Sequence, residues 1–154
     1  MARYSLRCRC DMKLAKNMAG KLGRKHILLL DADVSVRNAL YSALGAENYS
    51  VVSAGDSREA LSQFATHPID LALLELNSSD SESDWCTVQR LAEMNPRLPI
   101  VLMTAQPGQP AHPLARHARA WFQKPLLDLP LLLNKLSELT ASNNTSSDAG
   151  RAIF

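Results

Sequence analysis

Four residues able to do chemistry each close an apolar run. Asp31 follows Ile27–Leu30, Glu75 follows Leu71–Leu74, Thr104 follows Ile100–Met103, and Lys124 lies just past Ala120–Phe122. Carboxylates are the oxygen ligands that magnesium prefers, and a carboxylate can also act as a nucleophile. Asp33 adds a third acid two residues beyond Asp31. It stands immediately before an apolar stripe, which favours a helix cap over a metal ligand, because each residue turns a helical side chain by about 100°.

These groups meet only if the runs are neighbouring strands. Ile27–Leu30, Tyr49–Ser53, Leu71–Leu74, Ile100–Met103 and Ala120–Phe122 are mostly unbroken apolar stretches, as expected of strands covered on both faces. Helical patterns alternate with them. Asp33 precedes the stripe Val36, Leu40, Ala43 and Leu44, with Gly45 at its stop. Asp56-Ser57-Arg58-Glu59 has capping-box spacing, Asp84 precedes Val88, Leu91 and Ala92, and Asp128 precedes Leu132, Leu133, Leu136 and Leu139. Five strand-then-helix units predict an α/β fold with a parallel sheet, whose sites form at the carboxyl ends of the strands. The fourth unit is the exception. Pro107, Pro110 and Pro113 each lack a backbone donor and clash with a preceding turn, so a loop ending in one or two helical turns is predicted over 105–118.

Composition sets the bounds. The chain has 154 residues, 46% of them hydrophobic, which suits one domain with a sizeable core. No apolar run approaches the roughly 20 residues of a membrane span. No secretory signal is visible. Two of the three cysteines, Cys8 and Cys10, lie in a basic segment with no partner pair at zinc spacing. A disulfide framework is therefore disfavoured, and a reducing, cytoplasmic location fits. Residues 1–25 hold eight Lys or Arg against one acid and read as a basic flexible arm. Residues 26–139 hold eight Lys or Arg against 13 acids, a globular domain with no nucleic-acid surface. Residues 140–154 are polar and predicted to be a disordered tail. His67, His112 and His117 read as surface residues, and His26 as a structural residue opening the first strand.

In order along the chain, Asp31, Glu75, Thr104-Ala105 and Lys124-Pro125 resemble the receiver domain of two-component response regulators, over about residues 26–139. The resemblance implies a flavodoxin-like five-stranded parallel sheet in the order 2-1-3-4-5, with helices on both faces and a degenerate fourth helix. It implies that Asp31 is one of two magnesium-binding acids and that Glu75 holds the place of the phosphorylated aspartate. Thr104 and Lys124 would hold the phosphate site, and Trp121 the switch aromatic. Expected partners are a histidine kinase, another regulator or an output protein, with a homodimer also open. No enzymatic activity is implied.

The departures matter as much. Ala32 stands where the second acid belongs, Glu75 replaces aspartate, and Trp85 replaces a usual glycine after a loop about two residues longer than usual. With Asp31, Glu75 and Lys124 the site carries one net negative charge in place of two, so the demand for a cation falls. No cofactor is expected; magnesium would bind weakly at Asp31, with Asp33 an unlikely second ligand. The extra methylene of Glu75 moves its oxygens by about 1.5 Å, enough to disturb attack on a phosphoryl donor. It could instead let Glu75 reach Lys124 and the Thr104 hydroxyl, imitating phosphate with one charge against about −1.5 to −2.

The reading is a pseudo-receiver that acts by protein contact without normal phosphotransfer. Two alternatives stay open: a receiver still phosphorylated with magnesium, and nucleic-acid contact through residues 1–25. A nucleotide-binding flavodoxin-like protein is disfavoured, because no Gly-rich loop follows any strand. No output domain is legible after residue 139, which implies a stand-alone adaptor or a fragment of a longer regulator.

Overall fold

A computed structural model describes residues 23–76, 82–108 and 110–153, with side chains through Ala141. Most of the basic arm therefore lies outside the described residues. Five strands, β1 (His26–Leu30), β2 (Ser50–Ala54), β3 (Leu71–Leu76), β4 (Ile100–Thr104) and β5 (Ala118–Gln123), form one sheet in the order β2-β1-β3-β4-β5. All four pairings are parallel, with one register shift between Ile100 and Val101 where β4 meets β5. The predicted order and class hold.

Successive side chains on a strand point to opposite faces, and that alternation builds two cores. Leu28, Leu30, Ala72, Leu74, Ile100 and Leu102 share one face. It is covered by α2 (Ser57–Thr66) and α3 (Glu82–Met94). Ile27, Leu29, Leu71, Leu73, Val101 and Met103 share the other face, packed by α1 (Val34–Ala46) and α4 (Leu129–Ile153) through Leu40, Leu44, Leu132 and Leu136. Full burial of such aliphatic side chains contributes about 1.5–3 kcal/mol each, which makes these two faces the main favourable term holding the sheet to its helices.

Three predicted caps are formed. Asp33 Oδ1 accepts from the Ser35 and Val36 amides at 2.8 and 3.1 Å. Asp56 Oδ1 accepts from the Glu59 amide at 2.8 Å, and Asp128 Oδ1 from the Leu131 amide at 3.0 Å. The fourth expectation is corrected. Asp84 does not precede its helix but lies buried in the first turn of α3, because the helical residues begin at least two positions earlier. Gly45 does not stop α1, which runs one residue further; Asn48 takes the left-handed turn, with φ 71.

The fourth helix is reduced to a 3-10 helix, Pro113–His117, as the prolines require. His112 was expected at the surface and is instead half-buried. Its Nδ1 accepts from the Leu114 amide at 3.1 Å, capping the 3-10 helix, and its ring stacks on buried Trp85 with centroids 4.3 Å apart and planes 10° from parallel. The backbone of α4 continues to Ile153, where composition predicts a disordered tail from Thr140. The last side chain of that stretch described as buried is Thr140, whose hydroxyl bonds back to the Leu136 carbonyl at 2.9 Å.

Candidate functional site

Two ladders run one residue past their strands. The Asp31 amide donates to the Ala54 carbonyl at 3.2 Å, and the Lys124 amide to the Thr104 carbonyl at 2.7 Å. Alternation therefore carries through to the chemistry. Ile27, Leu29 and Asp31 share a face, as do Leu71, Leu73 and Glu75, and Ala120, Phe122 and Lys124. Asp31, Glu75 and Lys124 emerge together because each continues the row that faces α1 and α4.

Lys124 Nζ donates to Asp31 Oδ2 at 2.8 Å and to Glu75 Oε1 at 2.7 Å. Glu75 Oε2 accepts the Ala32 amide at 2.8 Å, and Asp31 Oδ1 accepts the Asp33 amide at 2.9 Å. All four carboxylate oxygens are thus engaged. The side chain of Asp31 is fully buried, while those of Glu75 and Lys124 are each 13% exposed. The peptide bond from Lys124 to Pro125 is cis.

The electrostatics separate the two acids. Burial pushes the Asp31 carboxyl above its ordinary 3.8, and the hydrogen bonds from Lys124 and the Asp33 amide pull it back only in part. Burial pushes on Glu75 in the same sense, but the bonds from Lys124 and the Ala32 amide outweigh it and hold the carboxyl below 4.5. Burial would discharge Lys124, yet its two carboxylate partners hold the ammonium above 10.5.

Glu75 was expected to reach Lys124 and Thr104; it reaches Lys124 and the Ala32 amide. Register gives the reason. Glu75 lies opposite Met103, and Thr104 lies opposite Leu76, one residue further on and on the other face. The Thr104 hydroxyl, buried, accepts from the Gln106 amide at 3.1 Å. Trp121 shares the face of Thr104; it stands on the outer strand, 37% exposed.

The donor set does not suit magnesium, which needs near-octahedral oxygen coordination. Asp31 and Glu75 spend their oxygens on Lys124 and backbone amides, Asp33 spends Oδ1 on the start of α1, and Ala32 has none to offer. Among the described residues no three His, Cys, Asp or Glu side chains gather into a metal-binding group.

Sequence reasoning missed Arg37. Its Nη1 donates to the Asp31 carbonyl at 2.7 Å, and a Cβ at residue 55 would lie 3.0 Å from that nitrogen, so Gly55 keeps the guanidinium's room. A cation one turn into the helix after an acidic strand end was the available signal.

The sequence of residues 27–136 matches the response regulator receiver domain, and the chain belongs to that family, the receiving modules of two-component signalling. It is 31% identical over 83 residues to the transcriptional regulatory protein ZraR of Salmonella typhimurium, a match spanning 54% of this chain and 19% of that protein. It is 32% identical over 80 residues to the probable transcriptional regulator ycf27 of Cyanidium caldarium, spanning 52% of this chain and 31% of that one. The chain thus covers less than a third of these curated relatives. The fold superposes on a CheY-like receiver domain protein from Methanospirillum hungatei with TM-score 0.72 and 21% identity, over 80% of this chain and 99% of that one. TrrA of Thermotoga maritima, solved in complex with Mg(2+)-BeF, gives TM-score 0.67 and 23% identity, over 75% and 98%.

Proposed function

We propose that this receiver domain signals by protein–protein contact in a fixed arrangement and is not switched by phosphorylation. The observation that carries the reading is the double engagement of Glu75, on Lys124 through one oxygen and on the Ala32 amide through the other. A carboxylate hydrogen-bonded on both oxygens is stabilised where it stands and is a weaker nucleophile toward a phosphoryl donor. Its ammonium partner is already neutralised, and the residue that would complete a metal site is Ala32. The domain is a binding module and not an enzyme, and its work is cytoplasmic. Among the described residues no helix is long and apolar enough to cross a membrane. Its partners belong to a two-component pathway: a histidine kinase, another regulator or an output protein. The relatives named as transcriptional regulators make gene control one destination of the signal.

Beryllofluoride with magnesium tests this reading. Amide resonances of Glu75, Thr104 and Lys124 are expected to stay in place through a titration to millimolar concentrations. Saturable shifts at these residues would contradict it.

A further inference from the structure

The two edges of the sheet are built differently. β5 carries exposed Arg119 as an extra residue where its register against β4 shifts. A charge and a bulge are both devices that keep an edge strand from pairing. β2 has neither. Its residues, Ser50-Val51-Val52-Ser53-Ala54, include no charge and no proline, and its register against β1 is unbroken.

The hydrogen-bond phase of β2 fixes which backbone groups face outward. The Ser50 amide donates to the Lys25 carbonyl at 2.9 Å, and the Ala54 carbonyl accepts the Asp31 amide at 3.2 Å. Along a parallel strand alternate residues bond to the same neighbour. Ser50, Val52 and Ala54 therefore turn their amides and carbonyls toward β1, and Val51 and Ser53 turn theirs away from it. Among the described residues no hydrogen bond reaches these outward groups.

We infer that β2 pairs with β2 of a second copy of this chain, antiparallel about a two-fold axis through Val52. That register sets Val51 of each copy opposite Ser53 of the other. Opposed residues in this phase exchange both their hydrogen bonds, so every outward group finds a partner. Val52 meets its own counterpart on the axis, a β-branched cross-strand pair. The flanking charges favour a second copy as the occupant. Glu47 before the strand and Arg58 after it are both exposed, and an antiparallel pair brings them to the same end with opposite sign. Asp56 and Glu59, the acids beside Arg58, already accept from the Glu59 and Gly55 amides. The whole chain carries a net charge of only +2, which opposes self-association little. A two-fold contact of this kind is self-complementary by construction. The product is one continuous sheet with the Asp31, Glu75 and Lys124 sites at opposite ends, a bivalent contact module. The inference goes beyond the proposed function and does not depend on the state of Glu75.

Sedimentation equilibrium of the full chain from about 1 to 300 µM tests it. A reversible monomer–dimer equilibrium is expected. Val51→Pro removes an outward amide and leaves the β1 ladder whole, the placement in which an edge strand accepts proline. It should weaken the dimer about tenfold or more, with circular dichroism unchanged. Ser53→Pro should do the same. Val52→Cys tests the register, because opposed residues of a non-hydrogen-bonded pair lie about 4.5 Å apart at Cα, within disulfide reach. Mild oxidation should join residues 52 of two copies, located by peptide mass. Val51→Cys, which is not opposite its own counterpart, should give no such link. A monomer at every concentration, a dimer unmoved by both prolines, or equal crosslinking at positions 51 and 52 would overturn the proposal. If a proline variant does not fold, the crosslink decides alone. A monomer with the beryllofluoride result unchanged would sink this inference and leave the proposed function standing.

Discussion

Glu75 Oε2 accepts the backbone amide of Ala32 across 2.8 Å. On the proposed reading, in which Ala32 and Glu75 stand at two of the family's acidic positions, those two positions are bonded to each other. Shortening Glu75 to Asp should therefore free that amide and loosen the pair with Lys124. Hydrogen bonds to charged groups contribute about 1.5–3 kcal/mol, and the partial exposure of Glu75 places Glu75→Asp near or below the low end. Urea denaturation measures it; an unchanged midpoint would show that the Ala32 contact contributes nothing.

Lys124 holds two carboxylates, one of them fully buried. Lys124→Met leaves both unpaired and should cost about 3 kcal/mol, the lower end of the range for breaking a buried pair. The same variant tests the pH dependence. The ammonium is held above 10.5 in the folded state, so its stabilisation is complete below that value and is lost as pH rises through the higher folded value. The difference in unfolding free energy between the native chain and Lys124→Met should shrink above pH 10.5. A constant difference to pH 11.5 would contradict the assignment.

Acid has a weaker effect because the two carboxyls act in opposite directions. Glu75 is held below 4.5, so its contribution is present above that value and falls away as pH drops. Asp31 is raised above 3.8, so its ionisation disfavours the folded state and protonation relieves it. Glu75→Gln should leave only the Asp31 effect. Its stability should rise relative to the native chain as pH falls from 5 toward 3, readable by thermal melts.

Trp85 and His112 tie α3 to the 3-10 helix. Trp85→Ala removes a buried ring and should cost about 3–5 kcal/mol. His112→Ala loses the stack and the cap together, about 1–2 kcal/mol. His112→Phe keeps a ring for the stack and should recover part of that loss. Equal stability of the Ala and Phe variants would assign the whole effect to the cap.

Asp33→Ala isolates the cap of α1. A loss of about 1 kcal/mol, the same with and without 10 mM magnesium, is expected. A loss that appears only with the cation would make Asp33 a ligand.

Much of this was legible in the residues. Continuous apolar runs gave the strands, and period-two alternation from Ile27, Leu71 and Ala120 leads to Asp31, Glu75 and Lys124 on one face. Three prolines announced the missing fourth helix. What escaped depends on register and on contacts distant in sequence. Whether Glu75 reaches Thr104 or the Ala32 amide turns on a one-residue offset between β3 and β4. The stack of His112 on Trp85 joins residues whose local patterns show only a loop and a helix. The start of α3 was misplaced because Asp84 looks like a cap when its burial is unknown.

The central claim is tested most directly by intact mass after incubation with acetyl phosphate and magnesium. The native chain, Glu75→Asp and Ala32→Asp/Glu75→Asp are compared. A cleft of about 250 Å³ lined by Ala32, Asp56 and Glu75 gives the restored acid room. The native chain should gain no phosphoryl group and the double variant should gain one. A phosphorylated native chain would contradict the account.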